Sequence, residues 1–264
     1  MNQNFYEKYF NNNDYISYRY DVGSYCTRKI IISNISKKNG NLLEIGTGIS
    51  SILQDIKNFD LYGIDYSQNA IDFTQKLLNN INIKASLAVG NAEKLPYPDN
   101  FFDVIISSHT LEHIENDISV INECYRTLKV NGELIIFVPG RISGLATKEE
   151  FESHGHYRYY NLKRFKDLEN STNKRLILSK IIYPHKIHNF IWNRSKNIFR
   201  YINYPFKKWI LKDKKSYEER IIYQKMLLPI ISRTLDTLDK LTEKKESNFF
   251  KTEFNVLAKF KKTI

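Results

Sequence analysis

The sequence predicts an α/β fold in which the strands of a mostly parallel sheet alternate with helices. Residues 42–50 read LLEIGTGIS, an apolar run that continues into an acid and two closely spaced glycines. Residues 60–65 form a second short strand-like segment that ends in Asp65, and residues 68–79 follow with apolar positions at helical spacing. A strand, a glycine turn, a second strand and a helix in this order are typical of α/β proteins.

The other elements are predicted in order along the chain. Ser67 precedes residues 68–79 as an N-cap, and Ile71, Leu77 and Leu78 are candidate core positions of that helix. The later predictions are a strand at 83–89, a fourth strand before His109, a helix at 118–128, a turn at Asn131-Gly132, a strand at 133–138, a sixth strand at 176–183 and a closing strand at 254–260.

The glycine turn is the first candidate ligand site. Gly46 and Gly48 permit a tight turn, and a following helix offers unpaired N–H groups and the positive end of its dipole. An acid at the end of the second strand, Asp65, can accept both hydroxyls of a ribose. A nicotinamide dehydrogenase is an alternative, but it prefers Gly-x-Gly-x-x-Gly, and Ser51 occupies the last position.

A series of short motifs extends this pattern over residues 40–140. In chain order they are Glu44-x-Gly46-x-Gly48, Asp65, GNAEKLPY from Gly90, FDVI from Phe102, LEHI from Leu111 and LKVNGEL from Leu128. This series resembles the core of class I S-adenosylmethionine-dependent methyltransferases, of the type-11 group. The resemblance implies a Rossmann-like seven-stranded sheet flanked by helices, with an antiparallel last strand. It also implies S-adenosyl-L-methionine as cofactor and S-adenosyl-L-homocysteine as product.

The resemblance assigns roles to the residues at the first two strand ends. Gly46 and Gly48 would let the methionine part of the cofactor lie along the backbone. Glu44 would accept a hydrogen bond from the ammonium side of that methionine, and Asp65 would hold the ribose hydroxyls. An ordinary tight turn and an exposed loop acid are the structural alternatives.

The adenine is expected at the end of the third strand. Asn91 would accept from its exocyclic amine, and the Ala92 N–H would meet a ring nitrogen. The family usually has Asp at the position of Asn91 and a third glycine at the position of Ser50. An Asn oxygen still accepts from the amine, so we expect retained binding with less charge assistance. The implied cofactor-binding residues are Glu44, Gly46, Gly48, Asp65, Asn91, Ala92 and Ser107.

The acceptor is expected beyond the carboxyl ends of the strands, where ligands of open α/β sheets bind. Transfer of a sulfonium methyl is an in-line displacement, which needs a base only for an alcohol, phenol or protonated amine. His109 is the first candidate base and His156 the second. A structural role for His113 at a helix start, and for His156 and Arg158 in fixing their loop, is the alternative. The candidate substrate-binding residues are Tyr18, Arg19, His113, Tyr157 and Arg158.

The charge of the chain is divided unevenly. Residues 1–157 hold 14 Lys and Arg against 19 Asp and Glu, whereas residues 158–264 hold 26 against 10. Cys26 and Cys124 lack metal-ligand spacing, so we expect two reduced cysteines and no metal site. The first residues lack a signal-peptide pattern, and no run of about 18 apolar residues is present. These observations favour a cytoplasmic protein.

The basic excess is concentrated in a segment rich in aromatic residues. Residues 185–215 interleave the two residue types, and the pattern predicts an amphipathic helix broken near Pro205. Three interpretations compete: a helical cap over the core, a peripheral contact with an anionic membrane, and a nucleic-acid surface. A long helix is predicted at 216–243, whose apolar stripe either packs on the chain or forms an oligomer interface.

These features together predict a methyltransferase acting on a small-molecule, lipid-linked or specialised-metabolite acceptor at oxygen, nitrogen or carbon. An RNA methyltransferase and a non-catalytic cofactor-binding or membrane-recruited accessory protein are the alternatives. The predicted domains are a helical lid at 1–38, the cofactor-binding core at 39–183, a basic helical insertion at 184–248 and the closing strand region at 249–264.

Overall fold

The computed structural model describes residues 22–49, 51–184, 233 and 254–264. In this part of the chain, helices and strands alternate as the sequence predicts. The helices are α1 (Val22–Ser33), α2 (Gln68–Asn80), α3 (Asp117–Thr127), α4 (Lys148–His154) and α5 (Leu162–Ser171). The strands are β1 (Asn41–Ile45), β2 (Asp60–Asp65), β3 (Ser86–Val89), β4 (Phe102–Ser108), β5 (Leu128–Gly140), β6 (Leu176–Ile182) and β7 (Phe254–Lys262).

The strands form one seven-stranded sheet in the order β3-β2-β1-β4-β5-β7-β6. Strands β1 to β5 pair in parallel, and β7 runs antiparallel between β5 and β6. The predicted Rossmann-like sheet with an antiparallel last strand is therefore confirmed. The strand order reverses between β1 and β4, and this reversal is the place where open α/β sheets bind ligands.

Two hydrophobic clusters cover the two faces of the sheet. Successive residues of a strand point to opposite faces, so Leu42 packs in one cluster and Leu43 in the other. Helix α1 lies on the Leu42 face, where Ile31 is fully buried, and α2 packs in the same cluster. Helix α3 packs in the opposite cluster. The sheet is thus covered on both sides, as parallel sheets require.

Several local predictions are confirmed. The Ser67 side chain caps α2 by accepting from the Ala70 N–H at 3.2 Å, and the predicted core positions Ile71, Leu77 and Leu78 are buried. Cys26 and Cys124 are both buried.

Strand β3 begins at Ser86, three residues later than predicted. Asn82 adopts a left-handed φ of 54°, and the Ile83 N–H donates to Leu78 O at 2.9 Å, so these residues close the end of α2. Strand β5 begins at Leu128, five residues before its predicted start. Asn131, predicted as a turn residue, has a φ of 62° within the irregular first part of that strand.

Some predictions concern residues that the structure leaves undescribed. Tyr18, Arg19, Ser50 and the basic segment 185–215 lie outside the described residues, and so does the helix at 216–243 apart from Arg233. The domain boundaries stay predictions. Within the described ranges, none of the helices has the length and apolar character needed to cross a membrane.

Candidate cofactor and acceptor site

The first four strands bring the predicted cofactor residues to one edge of the sheet. Strands β1 and β4 pair in register, with Ile45 opposite Ser107, and β2 follows on the other side of β1 with Ile64 opposite Ile45. The residues after these positions therefore meet beyond the carboxyl ends of the strands. They form the crevice at the reversal of strand order.

The turn after β1 is shaped by Gly46. Its φ is +76°, and its N–H donates to Ile64 O at 2.8 Å. A Cβ atom at this position would lie 2.7 Å from Thr110 Cγ2 and 2.9 Å from Thr110 Cβ. The turn therefore packs directly on the loop that follows β4, and only glycine leaves room for that contact.

Asp65 links the glycine turn to the start of α2. One carboxylate oxygen accepts from the Gly48 N–H at 2.9 Å, and the other accepts from the Ser67 N–H at 3.0 Å. The Thr74 hydroxyl donates to Gly48 O at 3.1 Å and holds the turn from the other side. The Asp65 side chain is thereby fixed at the mouth of the crevice, 9% exposed.

Glu44 lies under the same turn, in a buried position. Its carboxylate accepts from the Ser51 hydroxyl at 2.5 Å and from the Ile52 N–H at 2.9 Å, and so fastens the loop to the end of β1. Burial raises the pKa of Glu44 to about 7, although these hydrogen bonds oppose the change. The contact with the cofactor ammonium stays a prediction. The loop-fastening role was missed because the sequence does not show which atoms Glu44 meets.

The raised pKa of Glu44 predicts a pH-dependent contribution to stability. The carboxyl titrates near pH 4.5 when unfolded and near 7 when folded, so folding favours its protonated form. Between pH 4.5 and 7 the free energy of unfolding therefore loses up to about 3 kcal/mol from this group as pH rises. The test is urea unfolding of the wild type and Glu44→Gln between pH 4 and 8. We expect the free energy of unfolding of the wild type, relative to that of the variant, to fall by this amount as the pH rises. A difference independent of pH would contradict the prediction.

The predicted adenine residues follow β3. Asn91 is exposed, and its side-chain oxygen accepts from the Glu93 N–H at 2.9 Å. Ala92 is nearly buried, and the Gly90 N–H donates to Asp65 O at 2.9 Å. The turn after β3 is therefore attached to the end of β2, beside the predicted ribose position.

Two buried hydroxyls at this edge have no hydrogen-bond partner among the described residues. They are Thr47 Oγ1, in the glycine turn, and Ser107 Oγ, at the end of β4. Buried polar atoms are nearly always satisfied, by protein, water or a ligand. Ser107 was predicted as a cofactor residue. Thr47 was missed, because a Thr between two glycines gives no signal of its own.

His109 follows β4 in a backbone conformation that is uncommon for a non-glycine residue. Its φ is +50°, its N–H donates to Phe137 O at 2.8 Å, and its ring packs edge-on against Phe137. The side chain is 47% exposed, with Nδ1 3.3 Å from Glu112 Oε1. An accessible imidazole oriented by a buried carboxylate is suited to general-base work.

Glu112 is the buried acid of this region, and the sequence analysis did not single it out. Its side chain is 1% exposed and lies between His109 and His113, whose Nε2 is 3.9 Å from Glu112 Oε1. Burial alone would raise the pKa of Glu112, but the hydrogen bond from His109 and the charges of both histidines outweigh burial and lower it. The carboxylate is therefore ionised at neutral pH.

His156 comes from the loop after α4 and packs against His113, with ring centroids 4.9 Å apart. Burial lowers the pKa of His156 to about 4, so its imidazole is neutral at pH 7 and is a weak base. The structure thus brings both predicted bases, His109 and His156, to one group around Glu112. Their catalytic roles stay predictions, and His109 is the more exposed of the two.

Arg158 fixes this arrangement from outside. Its guanidinium donates to Ile114 O at 2.6 Å and to Glu115 O, and it lies 3.4 Å from the buried Asp117 carboxylate. The adjacent Tyr157 N–H donates to Glu112 O at 2.8 Å. These contacts fit the structural alternative for Arg158, and its predicted substrate role stays a prediction.

The start of the 141–160 loop is held by a second ion pair. Arg141 binds the Glu150 carboxylate and lies over the Tyr159 ring, 3.9 Å from its centroid. The Arg141 guanidinium lowers the pKa of Glu150 to about 2. The Thr147 hydroxyl and Glu150 form a capping box at the start of α4. The loop that carries His156 is thus anchored on both sides.

Part of the chain is similar to a known family of protein domains. Residues 43–136 match the family described as "Methyltransferase domain", and this range contains every predicted cofactor residue. The matched range begins in β1 and ends in β5, so it contains the strands that form the crevice.

Curated relatives are similar to a part of the chain of comparable length. Ajmaline N-methyltransferase of Rauvolfia serpentina is 33% identical over 105 residues, which cover 38% of this chain and 36% of that protein. Sterol 4-C-methyltransferase strm-1 of Caenorhabditis elegans is 29% identical over 104 residues, covering 38% and 31%. The chain therefore spans about a third of the length of these relatives.

Solved structures share the fold of the methyltransferase domain. Haemonchus contortus phosphoethanolamine N-methyltransferase 2, in complex with S-adenosyl-L-methionine, superposes with a TM-score of 0.63 at 15% identity. The match covers 90% of this chain and 52% of that one. At this identity the likeness establishes the class I Rossmann-like fold.

Proposed function

We propose that the chain is an S-adenosyl-L-methionine-dependent methyltransferase acting on a small-molecule, lipid-linked or specialised-metabolite acceptor. The observation that carries the proposal is the joined edge of β1, β2 and β4, where Asp65 is fixed against the glycine turn. The buried hydroxyls of Thr47 and Ser107 at the same edge have no partner in the described part of the chain. These groups suit a ligand with a ribose and several polar atoms.

The cofactor can bind without dismantling this edge. One Asp65 oxygen accepts from the Gly48 N–H and the other accepts from the Ser67 N–H. We propose that the same carboxylate also accepts two ribose hydroxyls, since a carboxylate offers about four lone-pair sites. In the same way, Asn91 retains acceptor capacity toward the adenine amine while it accepts from Glu93. The cofactor supplies an activated methyl group, and the protein residues orient it and the acceptor.

The acceptor side is proposed to lie around His109 and the 141–160 loop. His109 is the base for an acceptor whose hydroxyl or ammonium must lose a proton, and Glu112 orients its imidazole. The relatives methylate an alkaloid nitrogen and a sterol carbon, according to their names, and support a small-molecule acceptor of unspecified atom.

His109→Ala is expected to lower turnover while leaving cofactor affinity unchanged, because its imidazole is oriented by Glu112 and packs against Phe137, neither of which is a predicted cofactor residue. Loss of a general base costs about 10²–10⁴-fold in rate. The measurement is the single-turnover rate with a saturating acceptor, together with calorimetric affinity for S-adenosyl-L-homocysteine. Unchanged turnover would refute the assignment, and a parallel loss of cofactor affinity would indicate a structural role instead.

The proposal as a whole is tested by transfer of a tritiated methyl group from labelled cofactor into fractionated cell extract. We expect label in an organic-soluble or small polar fraction, with none in the absence of the chain. Label that is removed by ribonuclease would support the RNA methyltransferase alternative. Cofactor binding without any transfer would support the accessory-protein alternative.

A further inference from the structure

We propose that Glu112, His113 and His156 form a site for a divalent transition-metal ion such as Zn²⁺. This site differs from the prediction of no metal site, which rested on the spacing of Cys26 and Cys124. One ligand atom from each of these three residues lies within 4.8 Å of the other two. Glu112 and His113 are neighbours in the short turn after β4, and His156 reaches the cluster from the loop after α4.

Two atoms of the cluster lack the partner that a buried polar atom requires. Glu112 Oε2 and His156 Nδ1 are both buried, and neither has a hydrogen-bond partner in the described ranges. Glu112 is 1% exposed, so its second oxygen has no access to bulk water. An unsatisfied buried carboxylate oxygen is costly, and a cation between it and the imidazoles would satisfy both atoms.

His113 is held in the tautomer that a metal ligand needs. Its Nδ1 lies 3.3 Å from Gly155 O, and a carbonyl oxygen can only accept, so Nδ1 carries the proton. In the neutral imidazole, the form that binds a metal ion, Nε2 then presents its lone pair on the side of Glu112, 3.9 Å from Oε1. Imidazole ligands of metal ions are typically fixed in this way, with the second nitrogen donating to a backbone carbonyl or a carboxylate.

The two segments that supply the ligands are tied together next to the cluster. The Tyr157 N–H donates to Glu112 O at 2.8 Å, and the Arg158 guanidinium bonds to Ile114 O at 2.6 Å. Hydrogen bonds therefore hold the two ligand-bearing segments together, although His156 lies 43 positions after His113 in the sequence. Tetrahedral coordination at about 2 Å places ligand atoms roughly 3.3 Å apart, so small side-chain rotations suffice to close the cluster around an ion.

The ligand set favours a metal with affinity for imidazole. Two histidines and one carboxylate suit Zn²⁺, Co²⁺ or Fe²⁺, whereas Mg²⁺ and Ca²⁺ prefer oxygen ligands. Three protein ligands leave at least one position for water or a substrate oxygen. His109 hydrogen-bonds to the first oxygen of Glu112 and leaves Oε2 for the ion.

The position of the site suggests its use. It lies beside His109, so a bound ion would polarise an acceptor oxygen and ease loss of its proton before methyl transfer. This role rests on the proposed function, whereas binding of the metal does not.

The test is metal binding by the full chain without a histidine tag. After chelator treatment and dialysis, the protein is titrated with Co²⁺, and binding is monitored by the visible absorption of the bound ion. In a separate sample, the number of Zn²⁺ ions per chain is measured by mass spectrometry of the dialysed complex. We expect one equivalent of either ion, a Co²⁺ spectrum of low coordination number, and displacement of Co²⁺ by Zn²⁺. Absence of a saturable Co²⁺ spectrum in the wild type would overturn the proposal without recourse to any variant.

Variants locate the ion. Glu112→Gln and His156→Ala are each expected to weaken Zn²⁺ binding by roughly 100-fold or more, since even outer-shell losses cost 10–100-fold. His154→Ala is the matched control, because His154 is an exposed neighbour whose Nδ1 faces Ser153 Oγ at 2.8 Å. His185→Ala/His188→Ala controls for the other two histidines of the chain. Retained binding in both site variants, or its loss in either control, would overturn the proposal.

Folding and cofactor binding are measured on the same samples. Far-ultraviolet circular dichroism confirms that each variant is folded, and Glu112→Gln preserves the shape of the side chain if His156→Ala does not fold. Binding of S-adenosyl-L-homocysteine to the metal-free wild type separates the two proposals. A chain that binds the cofactor product but no metal refutes only the metal site, and one that binds metal but no cofactor product refutes only the proposed function.

Discussion

Gly46→Ala is expected to destabilise the chain by about 3 kcal/mol or more, through two separate costs. Residue 46 has a φ of +76°, which costs a non-glycine residue about 1–2 kcal/mol. The added methyl would also stand 2.7 Å from Thr110 Cγ2 and 2.9 Å from Thr110 Cβ. Thr110 cannot simply rotate away, because its Cβ is itself in conflict, and such overpacking costs about 1–3 kcal/mol. Urea unfolding of the full chain measures the sum.

The double variant Gly46→Ala/Thr110→Ala separates the two costs. Removing the Thr110 hydroxyl and methyl relieves the closest contacts, so the double variant should recover part of the stability lost by Gly46→Ala. The Thr110→Ala variant alone loses the hydroxyl proton that is shared between Ile45 O and Ser108 O, and it should be slightly destabilised. Strictly additive effects of the two substitutions would show that the turn does not pack on Thr110 as described.

Asp65→Asn is expected to weaken binding of S-adenosyl-L-homocysteine by roughly 10³-fold. Under the proposed function the Asp65 carboxylate accepts both ribose hydroxyls, and a hydrogen bond to a charged group contributes about 1.5–3 kcal/mol. The amide nitrogen of Asn cannot accept, and the charge is lost from both bonds. Isothermal titration calorimetry of the full chain gives the two affinities.

Asp60→Asn is the matched control for Asp65→Asn. Asp60 begins the same strand that Asp65 ends, and its side chain is exposed at the opposite edge of the sheet. We expect its affinity for the cofactor product to equal that of the wild type. Urea unfolding of both variants separates loss of binding from loss of the bonds that Asp65 makes to Gly48 and Ser67. Equal affinities of the two variants would remove Asp65 from the cofactor site.

The features that the sequence predicted well depend on local patterns. Ser67 caps α2 through a hydrogen bond to an N–H only three residues further along the chain. Asp65 stands at a strand end because the apolar run stops there. The parallel sheet then carries those ends to a common edge. The sequence alone therefore predicts that three features lie close together: the glycine turn, the acid at the end of β2 and the turn after β3.

The features that escaped prediction depend on contacts between distant segments. Glu112 reads as an ordinary acid near a helix start, and nothing local shows that a loop beginning at residue 141 returns to bury it. The neighbourhood of His113 and His156 follows from Arg158 and Tyr157 binding back to the β4 loop. Likewise, the hydrogen bond from Ser51 to Glu44 depends on the conformation of the loop between them, which the residue pattern does not predict.

Calorimetric titration of the wild-type chain with S-adenosyl-L-homocysteine, beside parallel titrations with NAD⁺ and ATP, tests the central claim most directly. The account predicts saturable binding of one S-adenosyl-L-homocysteine per chain and no comparable heat with either nucleotide, since the edge formed by Gly46, Gly48 and Asp65 is assigned to that cofactor. Preferential binding of NAD⁺ or ATP, or no binding of S-adenosyl-L-homocysteine to the folded chain, would contradict it.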